Sequence, residues 1–255
     1  MNSKLTGRFK TLRFARILKF KLSVLKQLSQ PSLNQITNSI TENGINLVLD
    51  VGANVGQFGT DLRNTGYRGK IISFEPASEP FLQLLKRSQK DASWSVFNFG
   101  LGNRIEEIDL HIASNSGLSS SVLEPGLHTD FFPGIRFDRT EKIQISTLSN
   151  FVKEQNLQDC RILLKIDAQG YESLILEGAL EIFDSVVSTY LELSLVELYR
   201  GEVGALAILN TLSDLGHGLS DIRRGIESKN RKLLQIDVLT TKRARQRQEH
   251  ENFSL

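Results

Sequence analysis

Short apolar runs recur along the chain at 45–51 (INLVLDV), 70–75 (KIISFE), 93–99 (SWSVFNF), 161–167 (RILLKID), 185–193 (SVVSTYLEL) and 233–239 (LLQIDVL). Their length and their β-branched and aromatic content predict strands. Segments 57–65, 79–89, 169–180 and 202–215 lie between several of these runs and read as helices. Strands alternating with helices predict an α/β fold, a mostly parallel sheet with helices on both faces. Right-handed crossovers then place the turn after each strand along one edge, where open sheets bind ligands.

Segment 100–146 breaks this rhythm. It holds a polar strand candidate (EEIDLHIA), a serine cluster, turns at Pro125-Gly126 and Pro133-Gly134, and then EKIQIS. An insertion over the ligand edge, about 103–146, is where substrate specificity is expected. At the other end of the chain, residues 1–30 predict a helix with an imperfect amphipathic face. Phe14, Ile17, Leu18, Leu22, Leu25 and Leu28 lie on one side, with Arg13, Arg16, Lys19 and Lys26 opposite and Lys10 and Lys21 intruding. Gln30-Pro31-Ser32 ends it, because the residue before proline disfavours helix. A short helix over about 33–42 follows. The chain thus divides into an arm (1–42), a domain (43–241) and a tail (242–255).

Composition changes this picture little. The 255 residues are 40% hydrophobic and 24% charged, as in ordinary globular proteins. The net charge of +2 conceals an asymmetry. Lys4, Arg8, Lys10, Arg13, Arg16, Lys19, Lys21 and Lys26 all precede the first acid, Glu42, so the rest is net acidic. A second basic cluster, Lys242, Arg243, Arg245 and Arg247, lies in the tail. The arm reads either as a helix packed on the domain with a solvated basic face, or as a peripheral contact for an anionic membrane or another polyanion. The domain has no basic patch interleaved with aromatics, so nucleic acid is not the expected partner. The lone Cys160 excludes an internal disulfide framework and fits a reducing compartment. Without clustered Cys, and with four scattered His, no metal is expected. No apolar run approaches the ~20 residues needed to span a bilayer. Lys or Arg interrupts every would-be signal-peptide core, so the expected location is the cytoplasm, with residues 1–30 as the candidate membrane contact.

Candidate chemistry begins with VLDVGANVGQFG, residues 48–59. A glycine turn between strand and helix lets backbone approach a ligand and aims helix-start N–H groups at it. Asn54 stands where a dinucleotide fingerprint has its middle glycine, the position that must be bare for a pyrophosphate. Asp50 ends the strand in an apolar setting, where an unpaired carboxylate is costly. The next strand ends in Phe74-Glu75-Pro76, and an acid at that tip can accept hydrogen bonds from both hydroxyls of a ribose. A cofactor with a ribose, an amino-acid tail and no phosphate fits this turn better than NAD. S-adenosylmethionine is such a molecule.

The second informative stretch is LLKIDAQGYESLILEGA, residues 163–179. Its strand surrounds Lys165 with apolar residues and delivers Asp167, Gln169 and, across Gly170, Glu172 to the ligand edge. In the plainer reading Asp167 caps the following helix and Glu172 is a favourable first-turn charge, each worth about 1 kcal/mol.

Taken together, LDVGANVGQFG, ISFEP, the LG of FGLGN, the SSS cluster, KIDAQGYE and LELSLVELYRGE resemble the FkbM-type methyltransferase family over about residues 45–239. That resemblance implies a class I methyltransferase (Rossmann-like) sheet of seven strands and S-adenosylmethionine-dependent O-methylation of a sugar or secondary-metabolite hydroxyl. By position, Asp50, Gly52, Asn54 and Gly56 would hold the methionine end of the cofactor and Glu75 its ribose. Asn98 to Leu101 would border the adenine, and Asp167 would sit beside the transferred methyl group. The chain departs from the family pattern at Gln169, often Glu, at Ser149, usually Asp, and at Gly100, commonly Ala.

Methyl transfer to oxygen is an in-line displacement, so alignment of the acceptor supplies much of the rate, ~7–11 kcal/mol in favourable cases. An aliphatic hydroxyl also needs a general base. Asp167 and His128 are the candidates, His128 because it lies in the insertion that can fold over the acceptor. Ser119, Ser120, Gln169 and Glu192 are candidates to bind the acceptor, and Lys165 could pair with Asp167 or Glu192. Two rival functions stand beside this one. They are methylation of protein or nucleic acid, and a non-catalytic cofactor-binding or membrane-associated scaffold.

Overall fold

The computed structural model describes residues 33–243, so the basic arm at 1–30 and most of the basic tail lie outside the described residues. Ten strands and seven α-helices are described: α1 (Leu33–Glu42), β1 (Leu47–Val51), α2 (Gln57–Asn64), β2 (Lys70–Phe74), α3 (Ser78–Ser88), β3 (Trp94–Phe97), β4 (Gly100–Leu101), β5 (Glu106–Ile112), α4 (His128–Phe131), β6 (Arg139–Ser146), α5 (Leu148–Glu154), β7 (Ile162–Ile166), α6 (Glu172–Glu177), β8 (Val186–Ser194), α7 (Ala205–Asp214), β9 (His217–Arg224) and β10 (Gln235–Lys242).

Seven strands form one sheet in the order β3-β2-β1-β7-β8-β10-β9. The first five are parallel, and β10 enters antiparallel between β8 and β9. Every residue of β1 and β7 is buried, which is why these strands read as continuous apolar runs rather than alternating ones. Leu47, Leu49, Val51, Leu164 and Ile166 face one side of the sheet and pack under α5, α6 and α7. Val48 and Leu163 face the other and meet Ile36 and Ile40 of α1. Helix α1 therefore packs into the domain, and the Ser39 and Ser188 hydroxyls meet at 2.6 Å.

Register places the site. Val51 pairs with Phe74 of β2 and with Ile166 of β7, so the three strands end level. Gly52, Glu75 and Asp167 therefore emerge side by side at one edge, where the strand order reverses about β1.

The insertion is more ordered than a loop. EEIDLHI and EKIQIS pair antiparallel as β5 and β6, and β4 joins β6 to complete a separate three-stranded sheet. The chain then enters α5, where the Thr147 hydroxyl accepts the Asn150 N–H at 3.1 Å as the cap. Ser149 donates its hydroxyl to Gly178 O at 2.8 Å. Strand β9, unforeseen in the hydrophobic pattern, occupies a sheet edge with alternating half-buried and exposed residues.

Candidate functional site

The level strand ends open into a cleft of about 690 Å³, space open to solvent included. Gly52, Asn54 and Glu75 form its polar end, and Asp167 and Gln169 its flank. Leu101, Leu110, Ile143, Ile145, Tyr171 and Ile175 supply an apolar end beneath the three-stranded sheet.

Three glycine-turn residues take left-handed conformations, Gly52 at φ 71°, Asn54 at φ 48° and Gly56 at φ 85°. Gly52 is required by contact as well, because a Cβ there would stand 1.9 Å from Asp167 O. The turn thus packs directly against the β7 tip. Asn54 donates its backbone N–H to Glu75 Oε2 at 2.7 Å, and Ala77 N–H donates to Glu75 Oε1 at 2.9 Å. Glu75 is only 6% exposed. Burial raises its pKa to about 7 although both backbone bonds favour the carboxylate.

Behind the turn lies a buried polar chain across the sheet. Trp94 Nε1 donates to the Ser73 hydroxyl at 3.0 Å, and Ser73 donates to Asp50 Oδ2 at 2.9 Å. Lys165 Nζ stands 3.2 Å from Asp50 Oδ1 and 3.8 Å from Asp167 Oδ2. It also donates to Val51 O at 3.1 Å and Gly52 O at 2.8 Å. Burial opposes the lysine charge, but Asp50 and then Asp167 outweigh it and hold the ammonium above its usual pKa.

The Asp167 side chain is 39% exposed, the most accessible acid of this network. Gln169 Nε2 donates to Asp167 Oδ1 and to Glu192 Oε1, each at 2.9 Å. Gln235 Nε2 donates to Glu192 Oε1 as well, also at 2.9 Å. Across the ladder Asp237 is the partner of Glu192. Burial, then Asp167 and Asp237, push Glu192 well above the ordinary carboxylate range. Burial likewise raises Asp237 and Glu172 to about 7. Glu172 Oε1 accepts the Ala168 and Gly170 N–H groups at 2.9 and 3.2 Å, which closes the turn between β7 and α6.

Several expected site residues are placed otherwise. Asp50 is wholly buried and neutralised by Lys165, so it does not line the cleft. Gly56 serves the turn and its packing, since a Cβ there would lie 2.8 Å from Leu84 Cδ1. Asn98 donates to Glu75 O and Pro76 O at 2.9 and 3.0 Å, fixing the turn after β2 rather than facing the cleft. Gly52, Asn54, Glu75 and Leu101 line the cleft. Asp167 does not cap α6, whose N-cap is Tyr171.

His128 is 4% exposed and packs against the rings of Phe132, Phe137 and Tyr199. Burial lowers its pKa, and its ring does not reach the cleft. The structure thus sets it among aromatic rings rather than among the residues that line the cleft. Ser120 and Gln169 line the cleft, whereas Ser119 takes Asn115 Nδ2 on its hydroxyl at 2.9 Å and the Tyr199 hydroxyl on its carbonyl at 2.9 Å. Glu192 meets the cleft only through Gln169. Ser121, the third residue of the serine cluster, also lines the cleft and donates to Gln169 O at 2.7 Å. Tyr199 lies in the LELSLVELYRGE stretch without a role assigned to it, and Gln235 and Asp237 have no local signal that would have marked them.

Among the described residues no group of three His, Cys, Asp or Glu is placed to hold a metal ion, and no helix is long and apolar enough to cross a membrane.

Residues 50–219 match the model of the Methyltransferase FkbM domain. The chain is 25% identical over 218 residues to 2-O-methyltransferase NoeI of Sinorhizobium fredii, a match covering 83% of this chain and 89% of that protein. Among solved structures it is similar to magnesium protoporphyrin IX methyltransferase (ChlM) of Synechocystis PCC 6803 with bound SAM, at TM-score 0.46 and 9% identity over 83% and 78% of the two chains. It is also similar to a putative RNA methyltransferase, PH1948, of Pyrococcus horikoshii, at TM-score 0.41 and 12% identity over 82% of each.

Proposed function

Because the chain belongs to the FkbM methyltransferase family, we propose that its cleft binds S-adenosylmethionine and serves methylation of a hydroxyl on a sugar, glycolipid or secondary metabolite. The observation that carries this reading is the placement of two acids on one cleft, Glu75 buried and Asp167 half-open, on either side of the Gly52 turn. The residues present fit such a cofactor. A carboxylate offers about four lone-pair sites. Glu75 uses one on each oxygen for backbone N–H groups, which leaves capacity for the two hydroxyls of a ribose. The apolar end between Leu101, Ile143, Ile145 and Tyr171 suits a flat heteroaromatic base. When bound, S-adenosylmethionine supplies a methyl carbon on a cationic sulfur, which keeps the electron pair of the broken carbon–sulfur bond as the acceptor oxygen takes the methyl.

Asp167 is our candidate to receive the hydroxyl proton. It is the most exposed acid of the network, with Gln169 Nε2 2.9 Å from Oδ1 and Lys165 Nζ 3.8 Å from Oδ2. The level strand ends hold Asp167 and Glu75 on a rigid frame, so the chain's part in the rate is alignment and proton removal. A hydroxyl acceptor agrees with the name of the Sinorhizobium fredii relative, a 2-O-methyltransferase.

Calorimetric titration of S-adenosylhomocysteine into the wild type and into Glu75→Ala tests the reading. One saturable site, weakened at least about 10-fold in the variant, corresponds to loss of a charge-assisted contact of about 1.5–3 kcal/mol. A folded wild type that binds nothing would overturn it. Hydroxyl-bearing sugars and glycolipids are then screened as acceptors with methyl-labelled cofactor.

A further inference from the structure

Gln169 occupies a position whose hydrogen bonds cannot all be made at once. Its Nε2 lies 2.9 Å from both Asp167 Oδ1 and Glu192 Oε1, and its Oε1 lies 2.9 Å from the Tyr199 hydroxyl. The same hydroxyl lies 2.9 Å from Ser119 O. An amide nitrogen has two protons to give, but a tyrosine hydroxyl has one. That proton can serve Gln169 or Ser119, not both.

We propose that Gln169 is a positioning residue whose side-chain amide turns over when a proton arrives on the Asp167–Glu192 pair, carrying that event through Tyr199 to the inserted segment. The proposal rests on the reading of Asp167 as proton acceptor. With both carboxylates ionised, the amide NH2 faces them, Tyr199 donates to Gln169 Oε1, and Ser119 O lacks this donor. With a proton on each of Asp167 Oδ1 and Glu192 Oε1, the two carboxyl O–H groups donate to the turned amide oxygen. The amide N–H then donates to the Tyr199 oxygen, and Tyr199 donates to Ser119 O. The two amide orientations have nearly the same shape, so the hydrogen-bond network alone selects between them. A buried polar group left unpaired is costly, which makes the selection sharp.

The proton that triggers the turn comes from chemistry already described. On that reading the acceptor hydroxyl would give its proton to the Asp167 carboxylate as its oxygen takes the methyl group. Ser121 holds Gln169 from the backbone side at 2.7 Å, so the segment from Ser119 to Ser121 touches Gln169 at one end and its tyrosine relay at the other. Ser120 and Ser121 line the cleft. Gln169 itself sits at φ 52°, a turn conformation that anchors its backbone while the side chain turns.

Charged and titratable groups face the Asp167–Glu192 pair from several elements. From β7 the amide pair sees Asp167 and Lys165, and from β8 Glu192 and Tyr190. β10 contributes Asp237, β9 contributes Arg223 as the partner of Asp237, and α6 contributes Glu172. From the loop before α7 come Tyr199 and Glu202, whose carboxylate accepts the Tyr199 N–H at 3.2 Å. Burial and the facing Asp167 and Asp237 raise Glu192 well above the ordinary carboxylate range.

The test is the side-chain amide spectrum of the ¹⁵N-labelled full chain by NMR, recorded between pH 5 and 9 without any acceptor. Gln169→Leu identifies the Gln169 NH2 pair by its loss. If that variant does not fold, nuclear Overhauser contacts to the Tyr199 ring identify it instead. The expected result is a Gln169 pair that titrates with a midpoint above the ordinary carboxylate range, a midpoint lost or moved in Glu192→Gln. In Tyr199→Phe the pair is expected to shift at every pH. A Gln169 pair invariant with pH in the folded protein, or a midpoint unmoved in Glu192→Gln, would overturn the proposal. S-adenosylhomocysteine titrated into the same wild-type sample judges the cleft separately: absence of binding there sinks the methyltransferase reading, whereas an invariant amide sinks the switch alone.

Discussion

Lys165 Nζ lies 3.2 Å from Asp50 Oδ1, and the ammonium that neutralises this buried acid also donates to Gly52 O at the start of the glycine turn. Asp50 Oδ1 has no hydrogen bond of good geometry, so the neighbouring charge is its compensation. Breaking one side of a buried pair leaves an uncompensated charge at about 3–5 kcal/mol. Lys165→Met is therefore expected to lose about that much stability by urea denaturation, and Lys165→Met with Asp50→Leu to regain most of it. A single variant as stable as wild type would show that the pair is not the compensation.

Gly52 and Gly66 both have positive φ, 71° and 98°, but only Gly52 has backbone where a Cβ would go. Gly66→Ala is expected to cost about 1–2 kcal/mol, the strain of the conformation. Gly52→Ala adds a 1.9 Å clash with Asp167 O and is expected to abolish folding or move the β7 tip. Expression and thermal melting of the pair of variants make the comparison, and equal losses would contradict it.

Ligand binding should be linked to protons through Glu75. In the free protein its pKa is raised to about 7, and a diol donating two hydrogen bonds favours the ionised form. Binding of S-adenosylhomocysteine below about pH 7 should then release protons and tighten as pH rises towards 8. Calorimetry in buffers of different ionisation enthalpy reads the release directly. It should vanish in Glu75→Gln.

Stability of the free protein should peak at mildly acidic pH. Carboxyls raised in the folded state, Glu172 and Asp237 at about 7, give stability that is full below their unfolded values and lost as pH rises through about 7. His217 works in the opposite sense. Burial lowers its pKa to about 4, so stability is lost as pH falls from about 6.5 to about 4. Melting temperature against pH should show both limbs, with the upper flattened in Asp237→Asn and the lower in His217→Gln. A flat profile would count against these burials.

Asp167 and His128 make opposite predictions once an acceptor is found. Asp167→Asn should lower kcat by about 10²–10⁴, the usual worth of a general base. His128→Leu, a change among the Phe132, Phe137 and Tyr199 rings, should leave the pH–rate profile in place. A pH limb lost in His128→Leu would restore the histidine as base.

The central strands could be read directly because burial on both faces leaves an uninterrupted apolar signature, as in LVLDV and ILLKI. Strand β9 could not. HGLSDIRR lies at an edge with half its residues towards solvent, and its polar content resembles a loop until β10 is beside it. Among residues lining the cleft, Gly52, Glu75 and Asp167 are readable because each follows the last residue of a strand, a position that chain order alone puts at the strand-end edge.

Residues whose roles come from distant partners were not readable. Asp50 looks like a ligand acid until Lys165 arrives from β7, 115 residues later. Tyr199 reaches Gln169 from 30 residues away, and Gln235 reaches Glu192 from 43, so neither contact is written in the local sequence. His128 did carry a warning. Phe132 sits four residues on, the spacing of neighbours on one helical face, so ring packing competed from the start with a catalytic role.

Because β10 runs against its neighbours, it starts beside Ser194 at the cleft edge and ends beside Ser188 and His217 at the opposite edge. Seven steps of strand separate the two edges by about 23 Å. A tether joined to the chain after Arg243 therefore leaves from the back of the sheet. Molecules captured on a sensor surface by that end would present their clefts outward, free to sample dissolved acceptors.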